Sequence, residues 1–371
     1  MSSETSTDTA ATGTAASAAA AAAPRRTDAY WREAIEPYER SDLRRSVLDL
    51  ATSVLPYLAL SVLMYLSLDA VSYWWTLLLA IPTGGFLVRS FIVFHDCTHG
   101  SFFSSKKANK LTGTITGLMV FTPFESWRKD HIDHHGTSGD LDRRGQGDVP
   151  MLTVEEYHTR PWLSRLGYRL FRNPLIMFGI GPIWSLIINP RFLRKHQRPA
   201  IRHSIIQTNL ILLVLIGGLC WLIGWQEYLL VQGPAVLLAG ATGVWLFYVQ
   251  HQFEDAYWER SESWSFTSAA LEGSAYLRLP QPLQFFTGNI GLHHVHHLSA
   301  RVPNYNLQRA HDELEIFAQV PVVSLWAGIK APYLKLWDER SGRIVGFPEA
   351  RRSWTETQAQ RTTGQPALDS V

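Results

Sequence analysis

Only two of the 371 residues are cysteine, Cys97 and Cys220. Two thiols make neither a four-thiolate iron–sulfur centre nor a disulfide framework. Electrons for any redox chemistry must then come from another protein. Excess charge is missing too. Lys and Arg number 34 against 32 Asp and Glu, a formal net charge of +2, too small for a nucleic-acid partner. After Met1, residues 2–23 lack bulky apolar side chains. They are Ala, Ser, Thr and Gly around Glu4 and Asp8, a composition expected to be disordered. Arg25 and Arg26 precede Thr27 and Asp28 instead of an apolar stretch, so they are no twin-arginine signal. The early acids argue against a plastid transit peptide.

What the chain does have is apolar sequence in blocks, although mean hydropathy is near zero. Residues 50–68, 73–94, 205–223 and 229–249 reach the roughly 20 residues a spanning helix needs. Tyr73, Trp74, Trp75, Trp221, Trp225 and Tyr228 stand at their ends as an aromatic belt. Pro56, Pro82 and Pro234 kink such helices without forbidding them. Two shorter apolar stretches, 111–124 and 174–188, are expected to be interfacial or re-entrant. The approach to the first span carries Arg25, Arg26, Arg32, Arg40, Arg44 and Arg45, and the approach to the third carries Arg191, Arg194, Lys195, Arg198 and Arg202. The connections 69–72 and 224–228 hold no Lys or Arg. This asymmetry puts both termini on the cytoplasmic side.

Nine of the fourteen histidines fall in three windows: His95-Asp-Cys-Thr-His99, His131-Ile-Asp-His134-His135 and His293-His294-Val-His296-His297. On a helix, residues at i, i+3 and i+4 share a face. Each window therefore aims its rings at one point. Imidazole is a borderline-soft ligand suited to Fe, Zn, Cu and Ni. The bland reading of one window is a run of exposed polar histidines. Three windows, two with identical HxxHH spacing and all on one expected face, point instead to a metal site. His95, His99, His131, His134, His135, His293, His296 and His297 are the candidate ligands, and they overfill one ion's shell, so two ions are implied. His251 ends the fourth span as His95 ends the second and is the ninth candidate. His294 breaks the shared-face spacing and is expected behind the ligands or toward substrate. His158, His196, His203 and His311 stand alone in polar context and are expected on the surface. Asp96, Asp133, Asp140, Asp142, Asp148, Glu254 and Asp255 lie near enough in sequence to hold the ligands' second ring nitrogens, or to be solvated charges. Arg89 is expected to snorkel to headgroups or to meet a polar group of the site.

At this point the chain resembles the membrane-bound fatty-acid desaturase family, from about Ser90 to about Leu307. HxxxH, HxxHH and HxxHH are similar to that family's three histidine boxes. The flanks extend the likeness: residues 95–103 read HDCTHGSFF, 122–135 TPFESWRKDHIDHH, 137–157 TSGDLDRRGQGDVPMLTVEEY and 291–307 GLHHVHHLSARVPNYNL. They look most like the omega-6 (delta-12) branch, which acts on oleoyl chains. The resemblance implies a diiron centre of two Fe ions, held by the eight box histidines. It implies O2 as oxidant and a fatty-acyl substrate in membrane lipid or on CoA. No fused haem domain is seen, so ferredoxin or cytochrome b5 is expected as external donor. The expected fold is an all-α integral membrane protein. Four transmembrane helices, with the two short segments, carry a cytoplasmic cap that holds the dimetal site in a bacterial inner membrane. The organisation expected is a disordered segment 1–27, a desaturase domain 28–350 and a flexible tail 351–371.

An unactivated methylene offers no acid, base or leaving group, so the cofactor must do the chemistry. An apolar tunnel must then fix which carbons meet the metals. Aromatics at 74–75, 245–248 and 285–286 are its candidate lining, with lipid contact and packing as the plainer roles. A hydroxylase or ketolase of the same superfamily is the nearest rival. A histidine-rich metal transporter or sensor is the rival of another class, and it calls for ligands near the bilayer midplane.

Overall fold

The computed structural model describes residues 28–145 and 149–363. The expected disordered segment 1–27 and Asp148 lie outside them. A short helix α1 (Asp28–Ile35) leads into α2 (Leu43–Ala70), whose first turn is capped by the Asp42 carboxylate accepting from Arg45 N at 2.9 Å. A two-residue turn brings the chain back as α3 (Tyr73–His99), which stops at Gly100. Gly100 has φ +73 and its N–H donates to Cys97 O, the left-handed ending that glycine favours. Then come α4 (Lys106–Met119), α5 (Phe124–Thr137), α6 (Val154–Thr159) and α7 (Trp162–Phe171). Two π-helical stretches, Ile176–Ile180 and Ile183–Ile188, precede α8 (Pro199–Ile223) and α9 (Trp225–His251). The rest is a cap of short helices: α10 (Phe266–Leu271), α11 (Gln281–Phe286), α12 (His293–Leu298), α13 (Asn304–Glu313), α14 (Leu325–Lys330) and the longer α15 (Phe347–Thr363). Strands are brief. β1 (Leu152–Thr153) pairs parallel with β4 (Leu336–Asp338), which pairs antiparallel with β5 (Arg343–Val345). Between them in sequence, β2 (Tyr276–Arg278) pairs parallel with β3 (Val322–Ser324).

Helices α2, α3, α8 and α9 are long and apolar enough to cross a membrane. Leu55, Leu63, Leu213, Val214 and Leu237 on them are exposed, which in water would be a large unfavourable surface and in lipid is the expected face. All three later spans run within a residue or two of the sequence bounds at one end, while α3 and α9 continue past the apolar stretch to His99 and His251. His95, His99 and His251 therefore stand beyond the apolar runs, at the ends of these helices.

Neither short apolar stretch crosses. Residues 111–124 form most of α4, then a turn through Phe121 at φ +56 into α5. Gly113 lets this happen, since a Cβ there would collide with the Phe124 ring. The second stretch pairs with α7 at a bend of 59°. Side-chain contacts decide the topology. His99 meets His135 with ring centroids 4.9 Å apart, and His135 meets His297 at 4.2 Å. Between His135 and His297 lie α8 and α9, which cross and return, so the bent pair re-enters.

One expectation is corrected. The tail from 351 onward is helical to Thr363. Trp354 stacks on His158 with centroids 5.2 Å apart, and Arg361 and Glu356 pair with Glu155 and Arg340. A polar segment orders here because its one large aromatic finds a ring to cover.

Candidate metal centre

Nine imidazoles converge from α3, α5, α9 and α12. They form two groups whose ring nitrogens all lie within 4.8 Å of one another. The first is His95, His99, His131, His135 and His296. The second is His134, His251, His293 and His297. The second box therefore gives His131 and His135 to one group and His134 to the other. The third box does the reverse, giving His293 and His297 to one and His296 to the other. Residues at i+3 and i+4 sit about 60° and 40° to either side of residue i on a helix of 3.6 residues per turn, so each HxxHH fans toward two points.

The Nε2 atoms of His95 and His131 are 3.0 Å apart, those of His131 and His135 3.1 Å, those of His134 and His251 3.2 Å, and those of His251 and His293 3.0 Å. Ligands about 2.1 Å from a shared ion are roughly 3.0–3.4 Å from each other. The Nε2 atoms of His99, His296 and His297 are buried with no hydrogen-bond partner among the described residues, an arrangement that costs free energy unless something else satisfies them. Burial, followed by neighbouring imidazoles, holds His131, His135, His293, His296 and His297 well below the usual histidine pKa. They are neutral, the form that binds metal. The donor set thus fits two ions of the nitrogen-preferring class.

The ring nitrogens facing away are held in part. His95 Nδ1 donates to Asp96 Oδ1 at 3.0 Å. His251 Nδ1 lies 3.1 Å from Gly273 O and 3.4 Å from Ser138 Oγ. Gly273 and Ser138 carried no sequence signal, because a backbone carbonyl and a small hydroxyl leave none. Trp127 stacks on His131 at 4.2 Å; its place one turn before the ligand was the available hint. Among the candidate acids that are described, only Asp96 touches a ring of the two groups. Asp133 pairs with Lys129, Asp140 with Arg143 and Ser261, Asp142 with Arg260, and Glu254 and Asp255 with Arg343. Arg89 does not snorkel. Its side chain is 12% exposed and pairs with Asp49, because a buried carboxylate lies within reach of its stem. His294 turns away from both groups and meets His311 Nδ1 through its Nε2 at 2.9 Å, and it lines no part of the cavity beside them. His311, on this bond, and His158, under Trp354, are half-buried instead of on the surface, while His196 and His203 are exposed as expected.

A cavity of about 560 Å³ opens on the centre, a typical size for a ligand site. His95, His131 and His293 form part of its wall, and Leu87, Val88, Val236, Gly243, Val244 and Phe247 much of the rest. The expected aromatic lining is only partly there. Phe247 contributes, but Trp74 and Trp75 are exposed at the far end of α3, and Phe285 and Phe286 pack on Phe86.

Spanning helices, a buried double histidine group and an apolar cavity on its flank define a membrane-embedded candidate metalloenzyme. The chain belongs to the fatty acid desaturase family, an oxidoreductase class: the model of that family, described as "Fatty acid desaturase", matches residues 72–326. It is similar to the "Fatty acid desaturase" of Bacillus subtilis (strain 168), 46% identical over 313 residues, covering 84% of this chain and 89% of the relative. It is similar also to the "sn-1 oleoyl-lipid 12-desaturase" of Synechocystis sp. (strain ATCC 27184 / PCC 6803 / Kazusa), 28% identical over 255 residues, 65% of this chain and 69% of the relative. The "sn-1 acyl-lipid omega-3 desaturase (ferredoxin)" of the same strain is 28% identical over 238 residues, 61% of this chain and 63% of the relative.

Proposed function

We propose that this desaturase introduces a cis double bond into the acyl chain of a membrane lipid, using O2 and electrons from an external donor, and that the delta-12 position of an oleoyl chain is its site. The observation that carries the reading is the cavity wall. His95 and His131 of one histidine group and His293 of the other face the same apolar space.

All nine histidines would hold two Fe ions, five on the first and four on the second. Iron bound there supplies the O2-dependent removal of hydrogen from unactivated methylenes that side chains cannot perform. The chain's own residues do the positioning. From Gln250 down to Val236 the cavity follows α9, about 20 Å at about 1.5 Å per residue, so a tail lies alongside the span at bilayer depth. Leu87, Val88, Val236 and Val244 exclude water from it, and Phe91 and Trp127 close it near His131. Fixing one pair of methylenes beside the histidine groups makes the reaction effectively intramolecular.

The depth of this cavity supports a chain carried on membrane lipid, as do the names of the two Synechocystis relatives. The donor proposed is ferredoxin, which one of those names contains, or cytochrome b5. Arg and Lys flank α2 and α8 at the histidine end, which supports a cytoplasmic centre and a bacterial inner membrane. The delta-12 position rests on the flanks of the boxes and on several distant relatives with 12- or omega-6-desaturase names, while an omega-3 enzyme is as similar.

The test is expression in a host that makes oleate but no linoleate, with an active donor, followed by gas chromatography of total fatty acids. Linoleate supports the proposal. A hydroxylated acid moves the chain to the hydroxylase rival. A monoene from a saturated chain discards delta-12 and keeps the desaturase.

A further inference from the structure

One histidine of the first group is the end of a buried polar chain that begins between α2 and α3. His95 Nδ1 donates to Asp96 Oδ1 at 3.0 Å. The other oxygen, Asp96 Oδ2, accepts from Asn304 N at 2.7 Å and from Asn304 Nδ2 at 3.0 Å. Asn304 Nδ2 also donates to Asp49 Oδ2 at 2.9 Å. Asp49 Oδ1 takes one arm of Arg89, and the other arm donates to the Phe285 carbonyl, with the guanidinium 4.1 Å above the Phe285 ring. Asn304 is 2% exposed, Asp96 2% and Asp49 6%.

The chemistry of each link leaves little freedom. An ionised carboxylate only accepts, and an amide nitrogen only donates. With both Asn304 Nδ2 protons given to carboxylates, the amide cannot flip. With Asp96 accepting, His95 must carry its proton on Nδ1, which leaves the lone pair on Nε2, the atom 3.0 Å from His131 Nε2. Three helices meet in the chain: α2 supplies Asp49, α3 supplies Arg89, His95 and Asp96, and α13 supplies Asn304.

We propose that Arg89, Asp49, Asn304 and Asp96 act as positioning residues, a relay that fixes the tautomer and ring orientation of His95 toward the ion of the five-histidine group alone. The proposal rests on the reading that the two groups hold metal. The relay reaches no residue of the four-histidine group among the described contacts. Its loss should therefore be felt on one side of the centre, which a general packing defect would not produce.

The experiment uses the full chain, purified in detergent and loaded with Fe(II), with iron per chain and the Mössbauer spectrum as readouts. Wild type should hold about two irons in two environments. Asn304→Ala keeps the backbone N–H on Asp96 Oδ2 but removes the Nδ2 that joins Asp96 to Asp49, and should bring iron toward one per chain, with one quadrupole signal lost and the other unchanged. Asp49→Asn strands the Arg89 charge and should weaken the same signal, and adding Arg89→Gln should recover part of it. A merely structural role predicts the reverse, a double variant worse than the single. Should Asn304→Ala aggregate, Asp49→Asn and the double variant decide. Two irons and a wild-type spectrum in Asn304→Ala and Asp49→Asn, or equal loss of both signals, overturns the relay. Wild type unable to hold iron overturns the metal reading as well.

Discussion

Gly243 lies on α9 two turns before His251 and lines the cavity, and a Cβ built on it meets nothing within 4 Å. Gly243→Leu therefore adds four carbons at the wall of the space proposed for the acyl tail, with its Cβ clear of protein. The helix itself should gain, since Gly costs about 1 kcal/mol against good helix formers. The new side chain displaces roughly three or four methylenes of a long substrate. At about 0.8 kcal/mol for each methylene kept from an apolar site, the loss is about 2.5–3 kcal/mol. With about 1.4 kcal/mol per factor of ten, kcat/KM for an eighteen-carbon chain should fall roughly 60- to 150-fold, while chains shorter by several carbons are spared. Gly217→Leu on α8 is the control: its Cβ also meets nothing within 4 Å, but it lines no part of this cavity. The assay is gas chromatography of products from a host fed mixed chain lengths. Unchanged product lengths in Gly243→Leu at full activity would show that the tail does not occupy this cavity.

Three further outcomes are expected. Replacing His296 by Ala should remove iron from the five-histidine group and replacing His297 from the four-histidine group, each abolishing activity, whereas His294→Ala should be milder because its ring pairs with His311; equal iron loss in all three would refute that division. Five ligand candidates on α5 and α12, His131, His135, His293, His296 and His297, have depressed pKa, are neutral when folded and titrate near 6.5 when unfolded. The unfolded metal-free chain then binds more protons below about 6.5, so stability is full above that pH and falls as the solution is acidified, by up to about 1.4 kcal/mol per pH unit for each group. Thermal melts between pH 8 and pH 5 check this, and a flat profile contradicts it. Finally, single cysteines at Ser72 and Gln226, in a Cys220→Ser background, should react with an impermeant thiol reagent from outside, and one at Ser104 should not; outside labelling at Ser104 would reverse the proposed orientation.

The spans and the ligand candidates were legible because they are local. About 20 apolar residues are needed to cross a bilayer wherever they fall, and HxxxH or HxxHH puts rings on one helical face whatever packs against it. What the sequence by itself determined is therefore four crossings, three histidine boxes and an imidazole-rich donor set with too few thiols for any other. Which group each histidine joins depends on how α3, α5, α9 and α12 cross, and no spacing encodes a crossing angle. Only the tertiary structure splits each HxxHH box between two groups and brings His251 into the four-histidine one. Only it separates Asp96, which meets a ring, from Asp133, which meets Lys129, since both are acids one position from a histidine. The same holds for Asn304, far from His95 in sequence and one carboxylate away in space. Hydrogen bonds between distant segments exist only after the helices have packed, and packing is a property of the whole chain.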